Sequence, residues 1–203
     1  NRATPFGVIV SSEARGTLMG NRGCLHDAHR ALGRRRWTTR AWVTCLLSFK
    51  GRRRQLMRPG YYTELFFLDE ATALASGHRP CAECRREAFR RFVDSWATGA
   101  GRAGQHVRAA DMDRAIQAER IERWRGKITF DAPFAGLPDG VMIARGGAAF
   151  LKRGGAVRPW SLAGYGPPAD FAPDEAVTVL TPRPIVEAIR AGYRPDVHPS
   201  ADD

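Results

Sequence analysis

The sequence lacks long hydrophobic runs, and this absence excludes one large class of protein. No stretch approaches the roughly 18 consecutive apolar residues that a membrane-spanning helix needs, so we expect no membrane association. No secretory signal is recognisable either, which makes the cytoplasm the expected compartment. The glycine-rich stretch from Gly16 to Gly23 lacks the Gly-Lys-Ser/Thr ending of a P-loop, which argues against nucleoside triphosphate binding.

Cysteine is also scarce, and the spacing of two cysteines narrows the chemistry. The chain has four cysteines in 203 residues and no secretory features, a combination that favours metal or redox chemistry over disulfides. Cys81 and Cys84 form a Cys-x-x-Cys pair, a spacing at which two thiolates can bind one tetrahedral ion from a single turn. A dithiol redox or protein-interaction module is an alternative, although Pro80 and the lack of a surrounding βαβ pattern argue against a thioredoxin-like site.

Helical patterns flank this cysteine pair on both sides. Asp69 is a suitable N-cap for a short helix from Glu70 to Ser76, which Gly77 is placed to end. After Cys84, aromatic and apolar residues recur at helical spacing and predict a longer amphipathic helix, through Phe89, Phe92, Val93 and Trp96. The sequence therefore predicts two helices separated by a tight turn that carries Cys81 and Cys84. We call this turn the knuckle.

The pattern FF-x-x-x-x-x-A-x-x-x-G-x-RPC-x-x-C spans Phe66–Cys84. This segment, about a tenth of the chain, resembles the second half of the zinc-binding domain of the Ada family of DNA methylphosphotriester repair proteins. The resemblance implies a zinc ion held by four cysteines, DNA as the partner, and Cys81 and Cys84 as two of the ligands. The family has a second close cysteine pair upstream, whereas this chain has only the isolated Cys24 and Cys45, so methyl transfer does not carry over.

The predicted Zn²⁺ ligands are Cys24, Cys45, Cys81 and Cys84. His26 is the alternative to Cys24, and His78 is a less favoured fourth ligand. A closed site with four protein ligands is structural, whereas three ligands and a water are typical of catalysis. The sequence leaves both possibilities open.

The charge balance predicts a polyanionic partner. The chain carries 32 basic and 21 acidic residues, a formal net charge of +11. Nucleic acid is the commonest polyanion for such a protein. The resemblance to the Ada family implies DNA rather than RNA. Only three basic residues are lysines, so an arginine excess that reflects a GC-rich genome is the alternative explanation. Arginine nevertheless binds phosphate bidentately and stacks on bases.

The expected nucleic-acid contacts are basic side chains in clusters or near the cysteines, and one aromatic residue beside them. They are Arg22, Arg34, Arg35, Arg36, Arg52, Arg53, Arg54, Arg79 and Trp37. The tryptophan offers a flat surface on which a base stacks.

Enzymatic activity is an open question at this stage. The catalytic candidates are His26, Glu64, Asp69 and Asn21, which would activate water beside the metal in a hydrolase or glycosylase. An alkyl-accepting thiolate is a variant of this hypothesis. The simpler interpretation is that Asp69 suits a helix N-terminus and that Glu64 pairs with an arginine.

We expect a single α+β domain in which a zinc-knuckle helical region packs against small antiparallel sheets. Residues 1–98 form the Ada-like zinc-binding half, with Cys45 on a strand within Ala41–Phe49. Residues 105–203 supply a helix from Asp111 to about Trp124, a small antiparallel sheet and a C-terminal helix. The sheet is predicted from four short strands and from a hairpin at Gly146-Gly147.

Overall fold

Short strands and two helices make up the first half of the chain. The computed structural model describes residues 1–52 and 55–202. In chain order these elements are β1 (Arg2–Ala3), β2 (Ile9–Val10), β3 (Leu18–Asn21), β4 (Val43–Leu46), β5 (Leu65–Phe67), α1 (Glu70–Ala75), β6 (Arg79–Pro80) and α2 (Arg86–Gly99).

The second half is a helix, seven short strands and a C-terminal helix. In order they are α3 (Ala109–Arg120), β7 (Ile121–Glu122), β8 (Gly126–Lys127), β9 (Phe130–Pro133), β10 (Met142–Arg145), β11 (Ala148–Arg153), β12 (Ala156–Pro159), β13 (Ala176–Val179) and α4 (Arg183–Arg190), with 3₁₀ turns at Phe134–Gly136 and Pro199–Ala201. The predicted α+β class is confirmed. Within the described ranges, no helix is both long and apolar enough to cross a bilayer.

The first sheet brings the Cys-x-x-Cys pair to Cys45. Its strand order is β2-β1-β5-β3-β4-β6, so β6 is an edge strand. An edge suits Pro80, which has no amide hydrogen for a further ladder bond. β4 pairs in parallel with β6, and Thr44 lies opposite Pro80. Because both strands run the same way, the next residues, Cys45 and Cys81, also lie close together.

The helices on either side of the cysteine pair form as predicted. Asp69 caps α1, since its Oδ1 accepts a hydrogen bond of 2.8 Å from the backbone N–H of Thr72. Gly77, with φ +88°, follows the C-cap and turns the chain towards β6. Helix α2 buries Phe92 and Trp96 and faces the core with that side. Helix, knuckle and helix are therefore confirmed.

A five-stranded antiparallel sheet and three helices enclose the larger core. The strand order is β12-β11-β10-β13-β9. The predicted hairpin at Gly146-Gly147 is confirmed, because Arg145 pairs with Ala148 and both glycines have positive φ. Helices α2, α3 and α4 pack against this sheet in one hydrophobic cluster. The cluster includes Phe92, Ile116, Ile143, Val179 and Ile189.

One predicted helix is shorter than expected at its C-terminal end. The helix expected from Asp111 to Trp124 is α3, which begins before Asp111 and ends at Arg120. Ile121 has an extended backbone and pairs with Lys127 in the β7–β8 hairpin. Trp124 therefore lies at the tip of a hairpin rather than on a helix.

Candidate metal centre and basic cleft

Three of the four cysteines lie together. The Sγ atoms of Cys45, Cys81 and Cys84 are all within 4.8 Å of one another. Two sulfurs bound to one tetrahedral zinc ion at about 2.3 Å are roughly 3.8 Å apart, so the group fits a single ion. Among the described residues no carboxylate or imidazole joins this group. The fold thus supplies three thiol groups that can hold a metal ion.

The knuckle backbone holds these sulfurs in place. The N–H of Cys81 donates to the carbonyl oxygen of Thr44 at 2.9 Å and fixes the knuckle to β4. The N–H of Glu83 lies 3.4 Å from the sulfur of Cys81 and donates to it. Amide groups that point at a thiolate stabilise its negative charge and orient it for a metal.

The three thiols of the group have different pKa values. The pKa of Cys81 is lowered to about 5, chiefly because the Cys45 thiol donates to its sulfur, with help from the N–H groups of Cys84 and Glu83. The pKa of Cys45 is raised, first because its thiol donates to Cys81 and then because it is buried. Burial raises the pKa of Cys84.

The prediction that Cys24 is a ligand requires correction. Cys24 lies outside the three-cysteine group, and its Sγ lies 3.5 Å from the carbonyl oxygen of His26. Strands β3 and β4 are antiparallel, and Met19 is the residue opposite Cys45. The chain therefore runs away from Cys45 between Met19 and Cys24, which keeps the two sulfurs apart.

Neither histidine considered as a fourth ligand belongs to the group. His26 is buried, with Nδ1 2.6 Å from Thr63 Oγ1 and Nε2 3.2 Å from the carbonyl oxygen of Arg58. A carbonyl only accepts, so Nε2 carries the proton and both ring nitrogens are engaged. His78 is fully buried against Trp42, and its pKa is lowered well below the usual value, first by burial and then by nearby cations.

Arg52 lies beside the three-cysteine group. Its Nη2 is 2.5 Å from Oε1 of Glu83, a residue between Cys81 and Cys84. Its predicted role as a nucleic-acid contact remains a prediction. Arg53 and Arg54, the other two arginines of that predicted cluster, lie outside the described residues.

The remaining catalytic candidates have structural partners. Asn21 Oδ1 accepts from the N–H of Gly23 at 3.1 Å and shapes the loop after β3. Glu64 is buried, and its Oε2 accepts from the N–H of Met57 at 2.8 Å. Glu64 does not join the cysteine group. The predicted pairing of Glu64 with an arginine is not seen among the described ion pairs.

Asp69 also has a full set of hydrogen bonds. Its Oδ1 accepts from Thr72, and its Oδ2 accepts from the hydroxyl of Tyr165 at 2.7 Å and from the N–H of His198 at 3.0 Å. The carboxylate therefore joins α1 to the C-terminal part of the chain. This arrangement agrees with the simpler interpretation of Asp69 as a capping residue.

Arg79 is a buried structural residue, which corrects its expected role as a nucleic-acid contact. Its Nε and Nη2 bind the two carboxylate oxygens of Asp113 at 2.7 and 2.8 Å. Both side chains are 6% exposed, so the pair is removed from solvent. The guanidinium cannot reach a phosphate because it already joins β6 to α3.

A cluster of cations surrounds Trp42, which is itself buried. Arg22 and Arg120 are each 2% exposed, and their Cζ atoms lie 4.3 and 3.8 Å from the Trp42 ring centroid. Arg120 donates to the carbonyl oxygens of Gly77 and Arg40, both at 2.7 Å. These contacts explain why such a polar pair of side chains is tolerated beside an aromatic core residue.

Lys127 completes this cation cluster, which we define as Arg22, Arg120 and Lys127. Its Nζ donates to the carbonyl oxygen of Ala75. The pKa of Lys127 is lowered to about 7 by burial and then by the charges of Arg22 and Arg120. Burial likewise lowers the pKa of both arginines to about 9. All three shifts have the direction expected for cations held without a counter-ion.

Arg34, Arg35 and Arg36 are exposed and line one side of an open cleft of about 460 Å³. Arg22 lines the same cleft, which we call the basic cleft. Arg36 and Arg22 also line a neighbouring cavity of about 20 Å³ together with Lys127 and Arg120. Trp37, the predicted stacking residue, is half-buried after the third arginine.

Sequence reasoning missed three of the residues that matter here. The sequence pattern places Arg120 on a basic helix face that is expected to be in contact with solvent. It places Lys127 in a short strand and gives no sign of a cation cluster. Trp124 is 84% exposed at the tip of the β7–β8 hairpin, between Arg123 and Arg125. A signal was present for Trp124, because the run Arg-Trp-Arg-Gly resembles a turn better than a buried helix end.

Comparison with known proteins returns no match, whether to a family model, to a curated protein or to a solved structure.

Proposed function

We propose that this protein is a zinc-stabilised DNA-binding protein. The observation that carries the proposal is that Arg36 and Lys127 line the same small cavity. That proximity places the Arg34–Arg36 loop next to the hairpin that presents Trp124, although the two are about 90 residues apart. A basic loop beside an exposed aromatic residue is the combination that binds nucleic-acid strands.

Trp124 supplies the stacking surface in this proposal. Its side chain is 84% exposed, and the guanidinium of Arg123 lies 5.1 Å from its ring centroid. A large aromatic side chain so exposed gains nothing from the core of its own chain. A base stacked on the ring would be flanked by the positive charges of Arg123 and Arg125.

The metal has a structural role in this proposal. Thiolate donors favour zinc over harder ions such as magnesium or calcium. An ion held by Cys45 and Cys81 would lock β4 to β6, and β4 begins immediately after Trp42. The Arg34–Arg36 loop precedes that strand, so the metal would fix the position of the basic surface. The Ada-like segment is what favours DNA over RNA as the partner.

Fluorescence anisotropy with labelled single-stranded DNA, duplex DNA and RNA of one sequence tests the proposal. We expect DNA affinity to fall with salt, with a slope of about −0.7 to −0.9 per phosphate contacted. Trp124→Ala should weaken single-strand binding by ~1–3 kcal/mol, whereas Trp124→Phe should retain most of it. Arg90→Ala, an exposed change on α2, serves as the control. Binding that is absent or independent of salt would contradict the proposal.

An alkyl-accepting thiolate is a second candidate function. The observation in its favour is that Cys84, one of only three ligands within the described residues, lines an open cleft of about 430 Å³. In such a step the sulfur attacks the alkyl carbon of a phosphotriester, the carbon–oxygen bond breaks, and the phosphodiester leaves with the electron pair. Mass spectrometry after incubation with methylphosphotriester DNA would detect the transferred methyl group on a cysteine.

A further inference from the structure

Arg22 is buried but incompletely hydrogen-bonded. It is 2% exposed, its Nη1 donates to the carbonyl oxygen of Gly7 at 2.8 Å, and its Nη2 is 3.5 Å from that of Ser76. Among the residues that the structure describes, its Nε has no hydrogen-bond partner. A buried donor without an acceptor is unfavourable, and more so when it is charged. The guanidinium of Arg22 can therefore still donate a hydrogen bond to a ligand.

Within the described part of the chain, no carboxylate forms an ion pair with the cations around Arg22. Among the described residues, none of the ion pairs involves Arg22, Arg120 or Lys127. The carboxylate of Asp113 acts on Arg120 from a distance but is bound on both oxygens by Arg79. A fourth cation, Arg36, adds its charge close to Arg22. Such a concentration of positive charge attracts an anion.

The shape of the site decides where an anion would lie. The cavity shared by all four cations is about 20 Å³, which is room for about one water. A phosphate group is too large for it and belongs in the adjoining basic cleft, which Arg22 and Arg36 also line. Arg22 and Arg36 would then contact the phosphate, and Lys127 and Arg120 would act through their charge.

We infer that Arg22 and Arg36 form a binding site for a terminal phosphate, a phosphate monoester, in the basic cleft. The monoester would be the end of a DNA strand, which rests on the proposed function, or a free nucleotide. A monoester carries about −1.5 to −2 charges at pH 7, whereas an internal phosphodiester carries one. The monoester therefore offsets four converging cations better than the backbone of an uninterrupted strand does.

The test compares oligonucleotides of one sequence that carry a 5′-phosphate, a 3′-phosphate or only hydroxyl ends. Inorganic phosphate and a nucleoside monophosphate are measured in parallel by calorimetry. We expect one phosphorylated end to improve affinity by roughly tenfold, the effect of one charge-assisted hydrogen bond. Arg36→Ala, an exposed change that leaves the core intact, should remove this preference, and Arg90→Ala should not.

Arg22→Lys tests the buried residue itself, because it keeps the charge but loses the planar fork. Its folding is checked by thermal denaturation in phosphate-free buffer. If the variant is folded, we expect the preference for a phosphorylated end to be lost. If it does not fold, the Arg36→Ala result decides.

The outcomes separate this inference from the proposed function. Salt-sensitive DNA binding with equal affinity for phosphorylated and hydroxyl ends would overturn the inference and leave the proposed function standing. Binding of the nucleoside monophosphate without binding of any oligonucleotide would support the site and remove the proposed function. Absence of both would overturn both.

Discussion

The sulfur atoms of Cys45 and Cys81 lie within 4.8 Å of each other, although the two residues are 36 positions apart in the sequence. The parallel pairing of β4 with β6 creates this contact, because it sets Thr44 opposite Pro80. Cys45, a strand residue, is thereby brought next to the pair formed by Cys81 and Cys84.

Metal content is the first prediction, and Cys24 provides a matched control. We expect one zinc ion per chain in the wild type and in Cys24→Ser, because Cys24 lies outside the thiol group. Cys45→Ser, Cys81→Ser and Cys84→Ser should each lose most of the metal, since each removes one of three ligands. Elemental analysis of the purified variants measures this. A folded wild-type protein without metal would contradict the site.

The buried ion pair of Arg79 and Asp113 should dominate the stability of the β6–α3 contact. Asp113→Ala should lower the free energy of unfolding by about 3–5 kcal/mol, because it leaves a buried guanidinium without its partner. Urea denaturation measures the change.

Asp111 on the same helix is the control for this prediction. Its carboxylate also pairs with arginine, but its side chain is 25% exposed whereas that of Asp113 is 6% exposed. Asp111→Ala should therefore change stability little. The double variant Arg79→Met with Asp113→Leu should recover much of the loss, since no unpaired charge remains. Equal effects of Asp111→Ala and Asp113→Ala would contradict the prediction.

Asp69 should prove structural rather than catalytic. Asp69→Ala removes the α1 cap and the acceptor of Tyr165, so we expect a loss of about 2–4 kcal/mol in unfolding free energy. Asp69→Asn retains a capping oxygen and should lose less. The opposite result would be an Asp69→Asn protein that has normal stability but has lost a reaction on nucleic acid. That result would support the catalytic hypothesis.

Lys127 should make stability depend on pH. Its pKa is about 7 in the folded protein and about 10.4 in an unfolded chain. Between these values the unfolded chain binds more protons, so the free energy of unfolding rises as the pH rises from 7 towards 10. Below pH 7 both states hold the proton, and the folded protein bears the full unfavourable effect of the buried charge.

The variant Lys127→Met isolates this contribution. We expect the stability difference between Lys127→Met and the wild type to shrink as the pH rises from 6 to 9 in phosphate-free buffer. Arg22, Arg120 and His78 face Lys127 in both proteins, so their influence largely cancels in the comparison. Parallel pH curves for the two proteins would contradict the assigned pKa.

Local sequence signals predicted the elements that depend on neighbouring residues. Asp69, Gly77 and the apolar spacing after Cys84 specify the two helices around the knuckle, because caps and periodicity act within a few residues. The glycine pair at 146 and 147 specified a hairpin for the same reason. The half of the candidate metal site formed by Cys81 and Cys84 follows from their spacing alone.

Only the tertiary structure decided which distant residues meet. The register of β3, β4 and β6 selects Cys45 and excludes Cys24, and no local pattern encodes a pairing between strands so far apart. Burial likewise determined the roles of two arginines that resemble surface residues in the sequence. Arg79 is bound to Asp113, and Arg22 lies beside Trp42. The charge of an arginine is fixed by its chemistry, whereas its role depends on which carboxylate or carbonyl the fold places beside it.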